Sequence, residues 1–223
     1  GIGMASRLLA TRLWRPLSGR RLGRAASWVR IERRTMSSDS KKPPFNFGPA
    51  TEGDSILYGS CRPGYGDNEV DGAIKEEEVE GWISHMHDNG IKRVLSLLGD
   101  DEVKWYGFDL EQRMRDEFSS YTRVPMFQGD AKTALESAVT AAREAKEPIV
   151  LHCSGGGGRC GLGLAVAIGA GKGVALEKAK EEVEGHANVV GTKRKVDLKK
   201  LDKLVTSGNA SGEGGTYLGA QYY

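Results

Sequence analysis

The stretch PIVLHCSGGGGRCGLGLAVAI, residues 148–168, places a cysteine and an arginine at the two ends of a glycine loop. An apolar run leads to Cys153, Ser154 and four glycines follow, and Arg159 precedes a second apolar run. Glycines allow backbone N–H groups to turn inward without Cβ clashes, which makes a nest for an anion. A helix that begins after the loop adds the positive end of its dipole. These residues therefore predict a phosphate cradle with a thiol at its base.

This combination of groups favours phosphoryl transfer. The loop amides, the helix dipole and the Arg159 guanidinium together stabilise a thiolate at Cys153, and a thiolate beside a phosphate ester is a nucleophile. Arg159 can hold two phosphate oxygens through its planar fork. No Gly-Lys-Ser/Thr follows, so the loop is not of the ATP-binding type. We interpret Cys153 as the nucleophile and the following residues as the phosphate-binding loop: Ser154, Gly155, Gly156, Gly157, Gly158 and Arg159.

Alternating strand and helix signals surround the loop. Strands are predicted at 55–60, 91–98, 121–126 and 148–152. Helices are predicted at 75–90, at 101–118 with a break near Gly107, at 133–146, from about Gly161, at 176–185 and at 196–205. This alternation predicts an α/β domain with a mostly parallel central sheet flanked by helices.

The spacing of Cys153 and Arg159, with His152 in front, resembles the signature of the cysteine-dependent protein phosphatases. The segment HCSGGGGRCG is most similar to the compact dual-specificity branch of that family. Three further segments match its early strand, its second strand and the strand before its acid loop, in the same order: YGSCRPGYG at 58–66, GIKRVLSLLGDDEV at 90–103 and VPM at 124–126. The resemblance covers roughly residues 56–204 and implies a single dual-specificity-phosphatase-like domain.

The resemblance also implies an activity and further site residues. It implies hydrolysis of phosphomonoesters, on phosphotyrosine or phosphoserine/threonine proteins, through a phosphocysteine and without metal or cofactor. His152 would orient the loop by hydrogen bonding. The general acid of the family is an Asp after the preceding strand, and here Asp130 occupies that region, five residues after Pro125. Because Thr133 and Glu136 have the spacing of a capping box, we expect Asp130 to be free to donate a proton.

Cys160 departs from the family pattern, which has Ser or Thr directly after the arginine. That hydroxyl hydrogen-bonds the nucleophilic sulfur, whereas a thiol is a weak donor. One interpretation is that Cys160 is a tolerated small substitute that slows hydrolysis of the intermediate. The other is that Cys160, or failing that Cys61, is a resolving thiol that captures oxidised Cys153 as a disulfide.

Two rival functions remain open. A degenerate phosphatase could bind phosphate or phosphopeptides without turnover, which the unusual Cys160 and the displaced Asp130 favour slightly. Sulfur transfer or arsenate reduction would also use a loop thiolate, but the Arg159 spacing and the single-domain length fit them less well. Residues 154–158 contain no Lys or Arg, which favours a phosphoprotein or small phosphomonoester over a phosphoinositide.

Charge and composition bound the remaining possibilities. Residues 1–43 hold 11 of the 32 basic residues but only 2 of the 30 acidic ones, so the rest of the chain is net acidic. An acidic body argues against nucleic-acid binding. No apolar run approaches ~18 residues, so no transmembrane helix is expected. His85 and His87 do not share a helix face, so no metal site is expected. We expect a monomer with free thiols.

The basic head predicts targeting rather than folding. Residues 4–34 are rich in Arg, Leu, Ala and Ser, with Glu32 the single acid among them, which is typical of an organelle transit peptide. We expect mitochondrial localisation, with a plastid, or the cytoplasm after initiation at Met36, as alternatives. The predicted organisation is a transit peptide and linker at 1–43, a phosphatase-like domain at 44–206 and a Gly/Ser-rich disordered tail at 207–223.

Overall fold

The computed structural model describes residues 42–207, so residues 1–41 of the predicted leader and 208–223 of the predicted tail lie outside the described part. Five strands form one sheet in the order β1-β2-β5-β3-β4. Only β1 pairs antiparallel, and the other pairings are parallel. This confirms the predicted mostly parallel α/β architecture. The strands are β1 (Gly48–Pro49), β2 (Leu57–Cys61), β3 (Arg93–Ser96), β4 (Ser120–Arg123) and β5 (Ile149–Cys153).

Seven α-helices and one 3-10 turn flank this sheet in the described residues. The turn is Pro44–Asn46 and immediately precedes β1. None of these helices is long and apolar enough to cross a membrane. The helices are α1 (Glu77–Asp88), α2 (Asp100–Val103), α3 (Leu110–Glu117), α4 (Ala131–Ala145), α5 (Gly158–Lys172), α6 (Leu176–Val190) and α7 (Leu198–Ser207).

The two faces of the sheet bury separate apolar cores, as alternation along each strand requires. Val94 and Val150 face the core that contains Trp82 and Met86 of α1. Their neighbours Leu95 and Leu151 face the opposite core, built with α4, α5, α6 and α7. Side-chain direction at the end of β5 follows the same alternation, which decides where His152 and Cys153 point.

Helix α5 is apolar around its whole circumference from residue 160 to 169, as expected of a helix covered by other elements on every side. Every residue from Cys160 to Gly169 is buried, and α5 packs against the sheet, α4 and α6. Its glycines allow close approach: a Cβ at Gly161 would lie 2.8 Å from the Lys195 carbonyl oxygen. The segment between α6 and α7 therefore packs directly on the first turn of α5, just behind the glycine loop.

Two helix boundaries differ from the sequence-based prediction in ways that concern the site. Helix α5 begins at Gly158 rather than near Gly161, so Arg159 and Cys160 belong to its first turn. Helix α4 begins at Ala131 rather than Thr133. Both strand β1 and the 3-10 turn before it were not predicted, because two- and three-residue elements carry no periodicity.

The tight contact at Gly161 predicts that alanine destabilises the protein at this position, opposite to the usual effect of glycine to alanine in a helix. Glycine to alanine inside a helix normally stabilises by about 1 kcal/mol, and Gly185→Ala should do so because a Cβ there meets nothing within 4 Å. Gly161→Ala should instead destabilise by about 1–3 kcal/mol, since backbone of Lys195 must move. Urea unfolding of both variants measures this, and two shifts of the same sign would contradict the packing.

Candidate active site

Cys153 is the last residue of β5 and is 3 % exposed. In register beside it on β2 lies Cys61, so both side chains point to the α5 face of the sheet. All three cysteines are free thiols. Burial raises the pKa of Cys61 to about 12, and nearby Cys153 adds to this effect. Burial likewise raises the pKa of Cys160.

The loop after Cys153 turns its carbonyl groups outward. Each carbonyl from Ser154 to Gly157 accepts a hydrogen bond from outside the loop or from the helix that follows. Ser154 O accepts from Arg62 N at 2.9 Å, Gly155 O from Asn46 Nδ2 at 3.2 Å, Gly156 O from Arg194 Nη1 at 2.8 Å, and Gly157 O from Gly161 N at 2.9 Å and Lys195 N at 3.4 Å.

Outward carbonyls imply inward amides. In a trans peptide, the N–H of the next residue points opposite to the C=O, so the N–H groups of Gly155 to Gly158 face the concave side. The backbone N–H groups of residues 154–157 donate to no backbone carbonyl among the described residues. Helix α5 directs the positive end of its dipole at the same point. This geometry is compatible with the predicted anion nest at the Cys153 end of β5, which stays a prediction.

Gly156 allows this loop shape. Its φ is +73°, and a Cβ there would lie 2.6 Å from the Cys61 amide nitrogen and 2.7 Å from the Ser60 carbonyl. The loop thus rests directly on the end of β2. Any side chain at this position would be both strained and in collision with backbone.

Arg159 closes the loop and is held by Glu102 of α2. Both carboxylate oxygens of Glu102 accept from its guanidinium, Oε1 from Nη2 at 2.6 Å and Oε2 from Nη1. Leu97 O also accepts from Nη1 at 3.2 Å. Burial alone would lower the pKa of Arg159, but the hydrogen bonds to Glu102 and the negative charges of Cys153, Glu102 and Glu69 together outweigh burial and raise it. The guanidinium therefore stays charged and fixed in orientation.

The donors that Glu102 leaves free are those that a phosphate needs. Arginine has five N–H groups. Glu102 and Leu97 use both hydrogens of Nη1 and one of Nη2. The Nε–H and the second Nη2–H remain, and they lie on one edge of the planar group. This edge can bind two oxygens of a phosphate side-on while Glu102 stays in place.

The segment after β2 forms a second wall of the cradle. Tyr65 is 57 % exposed, and its hydroxyl lies 3.5 Å from where a Cβ of Gly155 would be. Glu69 accepts from Ser154 Oγ at 3.0 Å. Buried Arg62 holds the segment: it donates to Gly64 O at 2.7 Å and to Asn68 Oδ1 at 2.7 Å. This wall carries the Glu69 carboxylate at Ser154 and the Tyr65 ring beside Gly155.

The orienting role of His152 stays a prediction. Alternation along β5 turns it away from Cys153, and its ring packs edge-on against Trp82 with centroids 5.7 Å apart. The ring lies near the Cys153 backbone, yet neither ring nitrogen has a hydrogen-bond partner among the described residues. Burial, reinforced by the charges of Arg159 and Arg62, lowers the pKa of His152 to about 3. The lowered pKa favours a neutral His152 ring, which packs against Trp82.

Asp130 is the N-cap of α4. The expectation that Thr133 caps this helix and leaves Asp130 free is wrong. Its Oδ1 accepts from the Thr133 amide at 3.2 Å. Glu136 pairs instead with Lys132 at 2.8 Å, so the predicted capping box does not form. Asp130 remains exposed at the end of the loop after β4. The capping hydrogen bond uses Oδ1 alone, so capping by itself does not remove Asp130 from proton transfer.

Cys160 does not take the place of the family hydroxyl. It is fully buried, and its thiol donates to Leu151 O at 3.4 Å rather than to Cys153. A Cβ on Gly59 would meet its sulfur at 2.8 Å, which places Cys160 two residues down the strands from the Cys153 level. The register partner of Cys153 is Cys61, so Cys61 is the thiol beside the candidate nucleophile.

Several residues that contact the loop were not predicted from the sequence, among them Glu102, Asn46 and Arg194. Glu102, Asn46 and Arg194 contact the loop across sequence separations of 57, 109 and 38 residues. Of these three, Glu102 alone lies in a segment matched by the family resemblance, at 90–103. That match predicted a strand and did not single out Glu102. The other two carry no local motif.

The Arg159–Glu102 contact yields a prediction whose sign separates two effects. Glu102→Gln removes a negative charge, and by charge alone phosphate should bind more tightly. If Glu102 orients Arg159, inorganic phosphate should instead bind about 10-fold more weakly, because one charge-assisted pair is lost. Calorimetric titration measures this. Asp101→Asn, which removes an exposed carboxylate paired with Lys104, is the matched control, and tighter binding by Glu102→Gln would refute the positioning role.

No protein-family model matches the chain, and no curated protein matches it in sequence. Solved structures do match in fold. PTPMT1 in complex with PI(5)P has a TM-score of 0.56 at 9% identity, over 73% of this chain and 94% of that chain. Kinase associated phosphatase with its catalytic cysteine replaced by serine has a TM-score of 0.53 at 15% identity, over 69% and 88%. Tk-PTP in its active form has a TM-score of 0.50 at 15% identity, over 73% and 98%. The chain has the fold of the cysteine-dependent phosphatases of the dual-specificity type.

Proposed function

We propose that the protein is a cysteine-dependent phosphatase that hydrolyses phosphomonoesters through a phosphocysteine at Cys153. The observation that carries this proposal is the combined geometry of the loop and Arg159. Inward amides of Gly155 to Gly158 and the free edge of Arg159 converge above a cysteine at a strand end. Both sets of donors act on phosphoryl oxygens, whose charge they stabilise during transfer.

The proposed reaction has two steps. Cys153 Sγ attacks phosphorus as a thiolate, the S–P bond forms, and the P–O ester bond breaks. The departing oxygen takes a proton from a general acid. Water then attacks phosphorus, the S–P bond breaks, and Cys153 leaves as a thiolate. The general acid, deprotonated in the first step, accepts the proton of the water. The loop amides and Arg159 bind the non-bridging oxygens throughout, so no reorganisation is needed between the steps.

We propose a phosphoprotein or a small phosphomonoester as substrate. Residues 154–158 supply no basic side chain, and the cradle is flanked by two carboxylates, Glu69 and Glu102. The side chain hydrogen-bonded to Ser154 is therefore an acid, which favours a substrate with a single phosphate group. The exposed ring of Tyr65 beside Gly155 is compatible with an aryl ester, for which it offers a stacking surface.

Phosphate binding without turnover is the second candidate. Two observations favour it: Asp130 caps α4, and the Cys160 thiol donates to Leu151 O instead of to the nucleophile. Either change could slow a chemical step without weakening the anion cradle. A protein that binds inorganic phosphate but releases no product from an aryl phosphate would establish this alternative.

Hydrolysis of para-nitrophenyl phosphate by the wild type and three variants tests the proposal. Cys153→Ser should abolish turnover, and Arg159→Lys should lower kcat/KM at least about 100-fold because the bidentate grip is lost. Vanadate and phosphate should inhibit the wild type. Cys61→Ser, which replaces the buried thiol on the neighbouring strand, is the matched control and should retain activity. Full turnover by Cys153→Ser would exclude the covalent route.

The dual position of Asp130 allows proton transfer to be separated from helix capping. Asparagine caps as well as aspartate but cannot donate a proton, whereas alanine does neither. Asp130→Asn should therefore slow hydrolysis of alkyl phosphates ~10²–10⁴-fold at unchanged stability. Asp130→Ala should show the same loss and unfold about 1 kcal/mol more easily.

Rates on an alkyl and an activated aryl phosphate, together with urea unfolding, measure both effects. The aryl ester needs little proton donation and is the internal control. Wild-type rates for Asp130→Asn on the alkyl ester would leave Asp130 a cap only. If Glu69→Gln then lowers the rate on the alkyl ester, the general acid is Glu69, whose carboxylate accepts from Ser154 Oγ.

A further inference from the structure

The 3-10 turn before β1 contains two strained residues close to the cradle. Phe45 and Asn46 have φ of 55° and 51°, in the left-handed region that side chains rarely adopt. Asparagine tolerates this region better than most residues, yet two such residues in a row still cost free energy. Strain of this kind persists only where the surroundings fix it, so the contacts of Asn46 are informative.

The Asn46 side chain links the loop to the segment between α6 and α7. Its Nδ2 donates to Gly155 O at 3.2 Å and to Lys193 O at 3.2 Å. Its Oδ1 accepts from the Lys193 amide at 2.7 Å. The side-chain amide of Asn46 therefore contacts two chain segments, with both Nδ2 hydrogens donated and one hydrogen bond accepted by Oδ1.

Arg194 completes this link from below the loop. It is 9 % exposed, and its Nη1 donates to Gly156 O at 2.8 Å. Its Nη2 donates to Asn46 O at 2.8 Å. None of the described carboxylates forms an ion pair with Arg194, and its Nε has no partner. A buried guanidinium without a counter-ion is costly, and a phosphate dianion across the loop would supply the missing negative charge.

We propose that Asn46 and Arg194 are positioning residues of the phosphate loop. They hold the carbonyls of Gly155 and Gly156 outward, which turns the next two amides toward the phosphate. Four consecutive glycines have too much conformational freedom to keep this arrangement alone. A flipped peptide would present a carbonyl oxygen to the phosphate and repel it. The inference rests on the proposed function of the loop as a phosphate cradle.

Asn46→Gly isolates the side-chain contacts. Glycine accepts the positive φ without strain, so the turn can keep its path while the donor to Gly155 is lost. We expect about 10-fold weaker binding of inorganic phosphate. Lys146→Gly is the matched control, because Lys146 has the same φ of 55° at the exposed end of α4 and makes no contact with the loop. It should leave phosphate binding unchanged.

Arg194→Met and Arg194→Lys separate the donor from its stem. Methionine keeps an apolar stem of similar length, and we expect phosphate binding to fall by roughly 10- to 100-fold. Lysine keeps the charge and one donor in reach of Gly156 O and should restore part of the affinity. Because a buried arginine also contributes to folding, each variant is measured well below its own thermal midpoint, with the folded fraction from circular dichroism.

The decisive readout is the dissociation constant of inorganic phosphate per folded protein, by calorimetry on the full chain, alongside kcat and KM for an aryl phosphate. Weaker binding in Asn46→Gly and Arg194→Met, with partial rescue by lysine, supports the inference. Wild-type affinity in both variants overturns it while leaving the cradle intact. A wild-type protein that binds no phosphate overturns the proposed function and this inference together.

Discussion

The site depends on one backbone constraint: four consecutive glycines must hold their peptide N–H groups toward a single point. Glycine makes the required shape accessible but does not select it. The hydrogen bonds accepted by the loop carbonyls fix this shape. Their donors include Arg62 after β2, Asn46 in the 3-10 turn, and Arg194 and Lys195 between α6 and α7. Strand β5 and helix α5 then fix the two ends of the loop.

The distribution of charge around the loop follows from that constraint. Arg62, Arg159 and Arg194 surround it, and among the described carboxylates only Glu102 pairs with one of them. The terminal nitrogens of Arg62 and Arg194 donate to carbonyl and amide oxygens, and the Nε of each has no partner among the described residues. Their charge is therefore uncompensated. In the proposed reaction, the Cys153 thiolate and the phosphate dianion supply the compensating negative charge. Buried cations of this kind strengthen anion binding more than exposed ones, because little water screens them.

The sequence was sufficient for the fold and for a specific hypothesis on the centre of the site, because both depend on local patterns. Cys153, the glycines and Arg159 lie within seven residues, and apolar runs on both sides indicate the strand and the helix that present them. Glu102, Asn46 and Arg194 could not be found this way, since each reaches the loop through tertiary packing. Asp130 was misjudged because two capping schemes fit the same few residues, and only the position of the first helical turn separates them. The packing of the His152 ring against Trp82, on the opposite side of β5 from Cys153, could be seen only in the structure.

Rapid denaturation of the wild-type protein during its first turnovers of an aryl phosphate, followed by peptide mass mapping, tests the central claim most directly. A phosphoryl group on the peptide that contains Cys153, in an amount that matches the initial burst of product, is the predicted result. A product burst accompanied by a phosphoryl group on any other residue, or by none, would contradict a phosphocysteine intermediate in this loop.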